Sequence, residues 1–136
     1  GFPDAAREVT TDGAAAFSQY VGDAVYWAYA TGDSDPLAAV CDEDSAFCQS
    51  AHEHAPQFVG DERVRFGGLH SVEITSVEIY ADDGVAFAFS VYSRDGFVDL
   101  DREGLLVEEA EADETEVTFH LEFRDGAWFL LGAGRT

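Results

Sequence analysis

The first half of the chain spaces its apolar positions for a helix. Four of them recur every three or four residues and share one helical face: Phe17, Val21, Ala24 and Ala28. Thr11 or Asp12 provides a side-chain oxygen that can cap the start of this helix. Ala30 is its expected end, because Gly32 follows where a left-handed C-cap needs no β-carbon. The pattern predicts one long helix whose apolar stripe is buried.

Two shorter helices are predicted next. Asp35 is the expected cap of the first, and Pro36 suits its first position because the missing amide hydrogen costs nothing there. Asp44 or Ser45 caps the second, which Pro56 should end. Leu37, Val40 and Cys41 are expected to form the inward face of the first of these helices.

Beyond a predicted polar loop at residues 57 to 68, the apolar positions alternate as in strands. The clearest runs are Val85, Phe87, Phe89 and Val91, and later Val117, Phe119, Leu121 and Phe123. Asp-Gly pairs at 83–84, 95–96 and 125–126 predict hairpin turns, which favour residues that tolerate positive φ. The second half is therefore an antiparallel sheet.

Two irregularities interrupt this alternation. Val72 and Ile74 lie on one phase and Val77 and Ile79 on the other, so a β-bulge is expected near Ser76. Residues 108 to 116 form a charge run, which we interpret as a solvated loop in preference to an acidic ligand site.

Helices followed by a meandering sheet define an α+β domain. We expect the N-terminal helices to pack on a strongly bent antiparallel sheet, with the long helix against its inner side. Residues 1–10 are interpreted as a lead-in from a removed tether, and residues 11–136 as a single domain.

The charge is strongly one-sided, with 28 acidic residues against seven basic ones and a net charge of −21. This field repels phosphates and anionic lipid headgroups, so nucleic acid is not an expected partner. No apolar run is long enough to cross a bilayer, so the chain is not expected to insert into a membrane. The acidity is consistent with a solvated surface or with a surface for cations or a basic partner.

Cys41 and Cys48 are the two cysteines of the chain. A close, even pair suits a disulfide in an oxidising compartment. Buried free thiols or half of a metal site are the alternatives, although the spacing does not match a zinc knuckle.

The closing segment, residues 117 to 130, alternates aromatic and polar positions around Asp125-Gly126 and ends on Trp128-Phe129-Leu130. After three helices and earlier hairpins, this pattern resembles the nuclear transport factor 2-like fold. The resemblance implies a cone-shaped domain with a cavity between helix and sheet. Steroid isomerases and polyketide cyclases of that shape use a carboxylate in the pocket.

A second resemblance rests on scattered positions of the first half: Gly13, Ala14, Ala16, Phe17, Tyr20, Tyr29, Ala30, Thr31, Gly32, Asp33, Leu37, Cys41 and Cys48. They resemble a family of actinobacterial envelope lipoproteins, the domain of unknown function 6318. The resemblance implies an extracytoplasmic location and an anchor through a lipidated N-terminus that lies outside this sequence. It implies no activity.

Candidate catalytic groups are few. Asp99 and Asp101 flank Leu100 on a predicted strand, so both carboxylates would project from one face, either into solvent or into a pocket for acid–base work. His120 alternates out of phase with its apolar neighbours and is expected to face outward or into a second layer. No metal site or cofactor fingerprint is predicted.

Aromatic residues are more numerous than a single buried stripe requires. Five are candidates for lining an apolar ligand pocket, with ordinary core packing as the alternative: Tyr20, Trp27, Phe89, Phe119 and Trp128. The resulting hypothesis is a non-enzymatic extracytoplasmic domain, monomeric or dimeric, that binds a protein or a small apolar ligand at the envelope. The alternative is a small-molecule isomerase, cyclase or dehydratase that uses a pocket carboxylate or histidine.

Overall fold

The computed structural model describes residues 1–60 and 63–136, except the side chains of 57–60. A 3₁₀ turn at Asp4–Arg7 precedes three helices: α1 Thr11–Thr31, α2 Asp35–Ala38 and α3 Ala46–Gly60. Seven strands follow: β1 Val64–Gly67, β2 His70–Tyr80, β3 Val85–Arg94, β4 Phe97–Leu100, β5 Leu106–Ala110, β6 Asp113–Arg124 and β7 Ala127–Arg135. Helices and antiparallel strands are segregated along the chain, so the α+β prediction is confirmed.

The long helix has the predicted buried stripe. Phe17, Val21 and Ala28 are fully buried and Ala24 nearly so. The cap differs from the prediction, because the Thr10 hydroxyl oxygen accepts a hydrogen bond from the Gly13 amide at 2.9 Å. At the other end Gly32 adopts a φ of 80°, the left-handed cap that the sequence predicts.

The region after α1 corrects two predictions. Pro56 lies inside α3 and does not end it. Ala51 and Ala55 on this helix are buried, and their packing outweighs the one backbone hydrogen bond that Pro56 removes. The predicted loop at 57–68 is also replaced, because α3 continues to Gly60 and β1 begins at Val64; residues 61 and 62 of that loop lie outside the described part.

The strands form two antiparallel sheets. The main sheet has the order β2-β3-β6-β7, and the minor sheet has the order β1-β4-β5. The turns at 83–84 and 125–126 are hairpins as predicted, and both Asp125 and Gly126 have positive φ. The 95–96 turn is not a hairpin. It carries the chain from β3 in the main sheet to β4 in the minor sheet. Backbone hydrogen bonds join it to the segment that connects β1 with β2.

The predicted bulge is confirmed, since the pairing of β2 with β3 shifts register between Ile74 and Ser76. The charge run at 108–116 is largely strand, not loop, because it spans the end of β5 and the start of β6. Most of its side chains are exposed, on one strand of the minor sheet and one of the main sheet, so the acidic residues remain solvated within strands.

The core lies between α1 and the inner face of the main sheet. Ala86 and Ala88 on β3 are fully buried there, and a β-carbon added at Gly22 of α1 would lie 2.5 Å from Val72 of β2. Small residues therefore let the helix approach the sheet closely. As a consequence the larger side chains beside these alanines, Phe87 and Phe89, occupy the outer face of β3.

Both chain segments that flank α1 are tied to this core. Ala6 of the lead-in is fully buried, and the Trp128 indole N–H donates to the Glu8 carbonyl at 2.9 Å. Cys41 and Cys48 form a disulfide, as predicted. Backbone hydrogen bonds join the residues on either side of Cys41 to Leu130, so the disulfide segment covers the free edge of β7.

Candidate ligand cavity between the long helix and the sheets

A cavity of about 400 Å³ opens between α1, α3 and the main sheet. We call it the apolar cavity; its lining is Gly22, Val25, Tyr29, Phe47, His70, Tyr92, Thr115, Val117, Phe119, Gly134 and Arg135. Its volume is within the range of small-molecule sites in proteins.

Polar residues from both edges of the main sheet line the apolar cavity, among them Arg135 of β7 and, at the opposite edge, His70, the first residue of β2. Its Nδ1 lies 2.7 Å from the Tyr92 hydroxyl, and the two rings meet edge to face at 5.4 Å. The Tyr26 ring from α1 lies 5.4 Å from the imidazole on another side. The histidine is therefore fixed by aromatic neighbours from two elements.

Burial shifts the titration of these groups. It lowers the pKa of His70, and the positive charges of Arg94 and Arg65 lower that pKa further. Burial raises the pKa of Tyr92 to about 12, with smaller contributions from Tyr29 and Asp23. At neutral pH the pair is thus a neutral imidazole hydrogen-bonded to a protonated phenol.

A second pocket of about 300 Å³ shares Tyr29 and His70 with the apolar cavity. We call it the arginine pocket; its lining is Tyr26, Tyr29, Ala30, Arg63, Arg65, Gly67, Gly68, His70 and Asp99. Its walls come from α1 and the minor sheet. The two pockets thus meet at His70, one largely apolar and one charged.

Asp99 is the buried charge of the arginine pocket, with its side chain fully inaccessible. Arg65 binds it in a fork, Nε to Oδ1 at 2.7 Å and Nη2 to Oδ2 at 2.8 Å, and Arg63 Nη1 lies 3.3 Å from Oδ2. The Arg65 guanidinium also covers the Phe97 ring at 3.6 Å. These hydrogen bonds, above all those from Arg65, hold the pKa of Asp99 below its usual value.

This geometry restricts the chemistry of each group. The Asp99 carboxylate is ionised and bound through both oxygens, so it is a weak proton acceptor and no proton donor near neutral pH. The His70 imidazole is neutral and can accept a proton or a hydrogen bond. Within residues 1–60 and 63–136, no three histidine, cysteine or acidic side chains are grouped closely enough to hold a metal ion.

The other two catalytic candidates lie away from both pockets. β4 ends at Leu100, so Asp101 does not share a strand face with Asp99 as expected. Its Oδ1 instead accepts hydrogen bonds from the Glu103 and Leu105 amides, each at 2.9 Å, and stabilises the turn after β4. His120 lies on the outer face of the main sheet, stacked on Phe87 at 4.7 Å.

Of the five aromatic candidates, Phe119 lines the apolar cavity. Tyr20 packs instead against Phe2 of the lead-in at 5.4 Å. Trp27 is 51% exposed on α1, with its indole nitrogen 3.4 Å from an Asp33 carboxylate oxygen.

The two remaining aromatic candidates are also placed elsewhere. Phe89 pairs with Ser76 and Thr118 on the outer face of the main sheet, because the small residues of β3 occupy the inner face. Trp128 is buried in the core near the lead-in, where its ring meets Phe123 edge to face.

Sequence reasoning missed the residues that join the two pockets, namely His70, Tyr92, Arg63 and Arg65. Their association depends on strand register and on pairing between β1 and β4, which are separated by more than 30 positions. One signal was available. In a chain with so few basic residues, two arginines at alternate positions beside Phe66 indicate a specific use.

Comparison with known proteins identifies the family and the general fold. The intermembrane space region of the chloroplast protein ARC6 aligns with a TM-score of 0.67 at 13% identity, over 94% of this chain and 97% of that chain. TsrD from Streptomyces laurentii aligns with a TM-score of 0.48 at 11% identity, over 88% of this chain and 86% of that chain. No curated protein matches the chain.

Two observations limit the setting of this domain. The disulfide is consistent with an extracytoplasmic compartment. Among the helices that the structure describes, none has both the length and the apolar character needed to cross a membrane.

The profile of a family of unknown function, DUF6318, matches residues 2–134. The chain therefore belongs to the DUF6318 family.

Proposed function

We propose that this chain is a non-enzymatic binding domain of the cell envelope, with a nuclear transport factor 2-like cone that holds a small, largely apolar ligand in the apolar cavity. The observation that carries the proposal is the cavity itself. Its walls are mostly apolar, and they include the hydrogen-bonded pair of His70 and Tyr92. Ligand sites commonly combine apolar walls with a few convergent polar groups.

The envelope location is part of the same proposal. The Cys41–Cys48 disulfide supports an oxidising compartment, and the resemblance to envelope lipoproteins supports a lipidated N-terminus ahead of Gly1. Mass spectrometry of the full-length product from a membrane fraction tests this point. A diacylated N-terminal cysteine is the expected result, and an unmodified product recovered from the cytosol would contradict it.

A small-molecule isomerase, cyclase or dehydratase is the second candidate, and two observations favour it. Asp99 lines a pocket, as an enzyme of this shape would require, and His70 is a neutral base at the junction of the two pockets. We rank it second because Asp99 is bound by Arg65 and Arg63 through both oxygens. A carboxylate so bound stabilises the minor sheet and has little capacity for proton transfer.

The binding proposal is tested with an uncharged fluorescent probe, N-phenyl-1-naphthylamine, and two matched variants. Val117 and Val91 are half-buried strand valines on opposite faces of the main sheet. We expect Val117→Phe to fill the apolar cavity and weaken probe binding by about tenfold, which corresponds to about 1.4 kcal/mol. Val91→Phe enlarges a side chain on the outer face and should leave binding unchanged.

Two results would contradict the proposal. Absence of a saturable fluorescence increase with the unmodified protein would show that the cavity does not accept apolar molecules. Equal effects of Val117→Phe and Val91→Phe would show that the probe binds elsewhere. Thermal melting of both variants confirms that each remains folded before binding is compared.

A further inference from the structure

The exposed hydrophobic residues of this molecule are concentrated at the minor sheet. Eleven large hydrophobic side chains are exposed in the described part of the chain, and seven of them lie in the minor sheet or in the segments next to its strands. The other four are scattered over the lead-in, α1 and the end of β2. A single exposed apolar side chain is ordinary on a protein surface, whereas a contiguous patch commonly marks an interaction site.

Strand register places the centre of this patch on one face. Phe66 pairs with Val98 across β1 and β4, and Val98 pairs with Glu109 across β4 and β5, so the three side chains lie side by side. Arg65 and Asp99 alternate with them and line the arginine pocket on the inner face. The outer face of the minor sheet is thus directed away from both pockets. It carries Val64, Phe66, Val98, Leu100, Leu106 and Glu109.

Acidic groups border this apolar face. A cleft of about 440 Å³ lies on it, with Phe66, Val98, Glu109 and Glu111 in its walls, and both glutamates are exposed. Arg94 reaches the same segment and donates to the Glu111 backbone carbonyl at 3.0 Å. Residues 94 to 111, which contain β4 and β5, have seven acidic residues against two arginines. Two of these acids bind arginines of the arginine pocket, and the remaining five keep the charge beside the cleft negative.

This charge decides which occupant the outer face favours. A second copy of the chain also has a net charge of −21, and in a two-fold pair Glu109 and Glu111 would lie near their own counterparts. Like charges placed in this way repel each other, and an anionic membrane surface is repelled for the same reason. A basic protein is attracted by the same field, and its apolar side chains can remove the exposed patch from water.

We infer that the outer face of the minor sheet docks a basic protein segment. Its apolar side chains would cover Phe66 and Val98, and its lysine or arginine heads would reach Glu109 and Glu111. The long stem of either cation can lie along an apolar wall while the charged head stays at the rim, and the Phe66 ring offers a cation–π contact. This site is separate from the apolar cavity, so the inference does not depend on the ligand proposed there.

Site-specific photo-crosslinking in the cells that produce the protein tests the inference. The photoreactive amino acid p-benzoylphenylalanine replaces Phe66 or, as the matched control, Tyr80, which is also about half exposed but lies on β2 of the main sheet. We expect a protein adduct from position 66 and none from position 80. The segment of the captured protein that carries the crosslink, identified by mass spectrometry, should have a net positive charge.

The captured segment, made as a synthetic peptide, then measures what each group contributes. Phe66→Ser should weaken peptide binding about tenfold, because central aromatic side chains commonly dominate an interface, and Tyr80→Ser should leave it unchanged. Glu109→Gln should weaken binding about threefold and reduce its dependence on salt. Glu53→Gln removes an exposed carboxylate from α3 and is the control for overall charge. Binding of N-phenyl-1-naphthylamine should be the same in all four variants.

Several results would overturn the inference. Absence of an adduct at position 66, or the same adduct from positions 66 and 80, would show that the outer face has no specific partner. An adduct between two copies would assign the face to self-association, and a crosslinked lipid would assign it to a membrane. Equal weakening by Glu109→Gln and Glu53→Gln would reduce the effect to overall charge. Failure of the neutral probe to bind would refute the proposed function and leave this inference intact.

Discussion

The two sheets of this domain are stabilised by different interactions. In the main sheet the inward side chains are mostly apolar, and Phe119, Leu121 and Leu130 are buried to 1% exposure or less. In the minor sheet the inward side chains of the central pair are Arg65 and Asp99, joined by a forked salt bridge. One sheet thus depends on non-directional burial, and the other on a directional ion pair.

The outer face of the minor sheet also shows how little this sheet depends on apolar burial there. The minor sheet exposes Val64, Phe66, Val98 and Leu106 by between 37% and 59%. The apolar side chains of its outer face therefore contribute little burial, and its attachment to the domain rests on the inner face, where Phe97 is buried. We infer that the minor sheet can loosen while the main sheet stays folded, and the following predictions test that independence.

The largest effect is expected in the main sheet. Phe17→Ala removes a fully buried ring of α1 and should lower the free energy of unfolding by about 3–5 kcal/mol, because a cavity remains in the core. Urea unfolding followed by circular dichroism measures the loss. Trp27→Ala is the matched control on the same helix, and the half-exposed ring should cost about 1 kcal/mol or less.

The two substitutions should also differ in how much of the domain loses protection against hydrogen exchange. Phe17→Ala should weaken amide protection in the main sheet, since α1 packs on that sheet, and Trp27→Ala should leave it nearly unchanged. Equal destabilisation by Phe17→Ala and Trp27→Ala would show that burial under α1 is not what holds the main sheet.

The predictable parts of the fold are those with local signals. The stripe of α1, the Gly32 cap and the Asp125-Gly126 hairpin each depend on residues within a few positions of one another. The bulge near Ser76 was also predictable, because it shifts the phase of one strand's apolar residues. Strands β1 and β5 were missed, since short strands with charged residues resemble loops in sequence.

The candidate site was predictable only in part. Phe119 follows the alternation of β6, so its place in the cavity agrees with the pattern. The Arg65–Asp99 pair joins positions 34 residues apart, and the His70–Tyr92 contact depends on the register of β2 against β3. The sequence analysis placed Phe89 of β3 in the pocket, but Ala86 and Ala88 face α1 instead. Alanine is favoured there because the helix packs closely on the sheet.

A smaller and local effect is expected from Asp99→Asn. The amide keeps the shape of the side chain but removes the charge that Arg65 and Arg63 bind. We therefore expect the free energy of unfolding to fall by about 1–3 kcal/mol. The effect is limited because both arginines are partly exposed to solvent. Hydrogen exchange should show lost protection in β1, β4 and β5 with β2, β3 and β6 unchanged. Uniform loss in both sheets would refute their independence.

The same variant has a pH signature. The pKa of Asp99 is lowered by Arg65 in the folded state, so its stabilisation is fully present above the unfolded value of about 4. It disappears as the pH falls through the folded value. The stability difference between the unmodified protein and Asp99→Asn should therefore shrink below about pH 4, and a difference that stays constant down to pH 2 would contradict the role of the ion pair.

The smallest effect is expected on the outer face of the minor sheet. Phe66→Ser should change the free energy of unfolding by no more than about 0.5 kcal/mol, because the ring is 59% exposed and has little burial to lose. Phe97→Ser is the matched change one strand away, where the ring is 6% exposed and lies beneath the Arg65 guanidinium. It should cost about 2–4 kcal/mol and reduce protection in β1, β4 and β5. A large loss from Phe66→Ser in the isolated chain would mean that the exposed face supports the minor sheet, and the contrast between the two sheets would then fail.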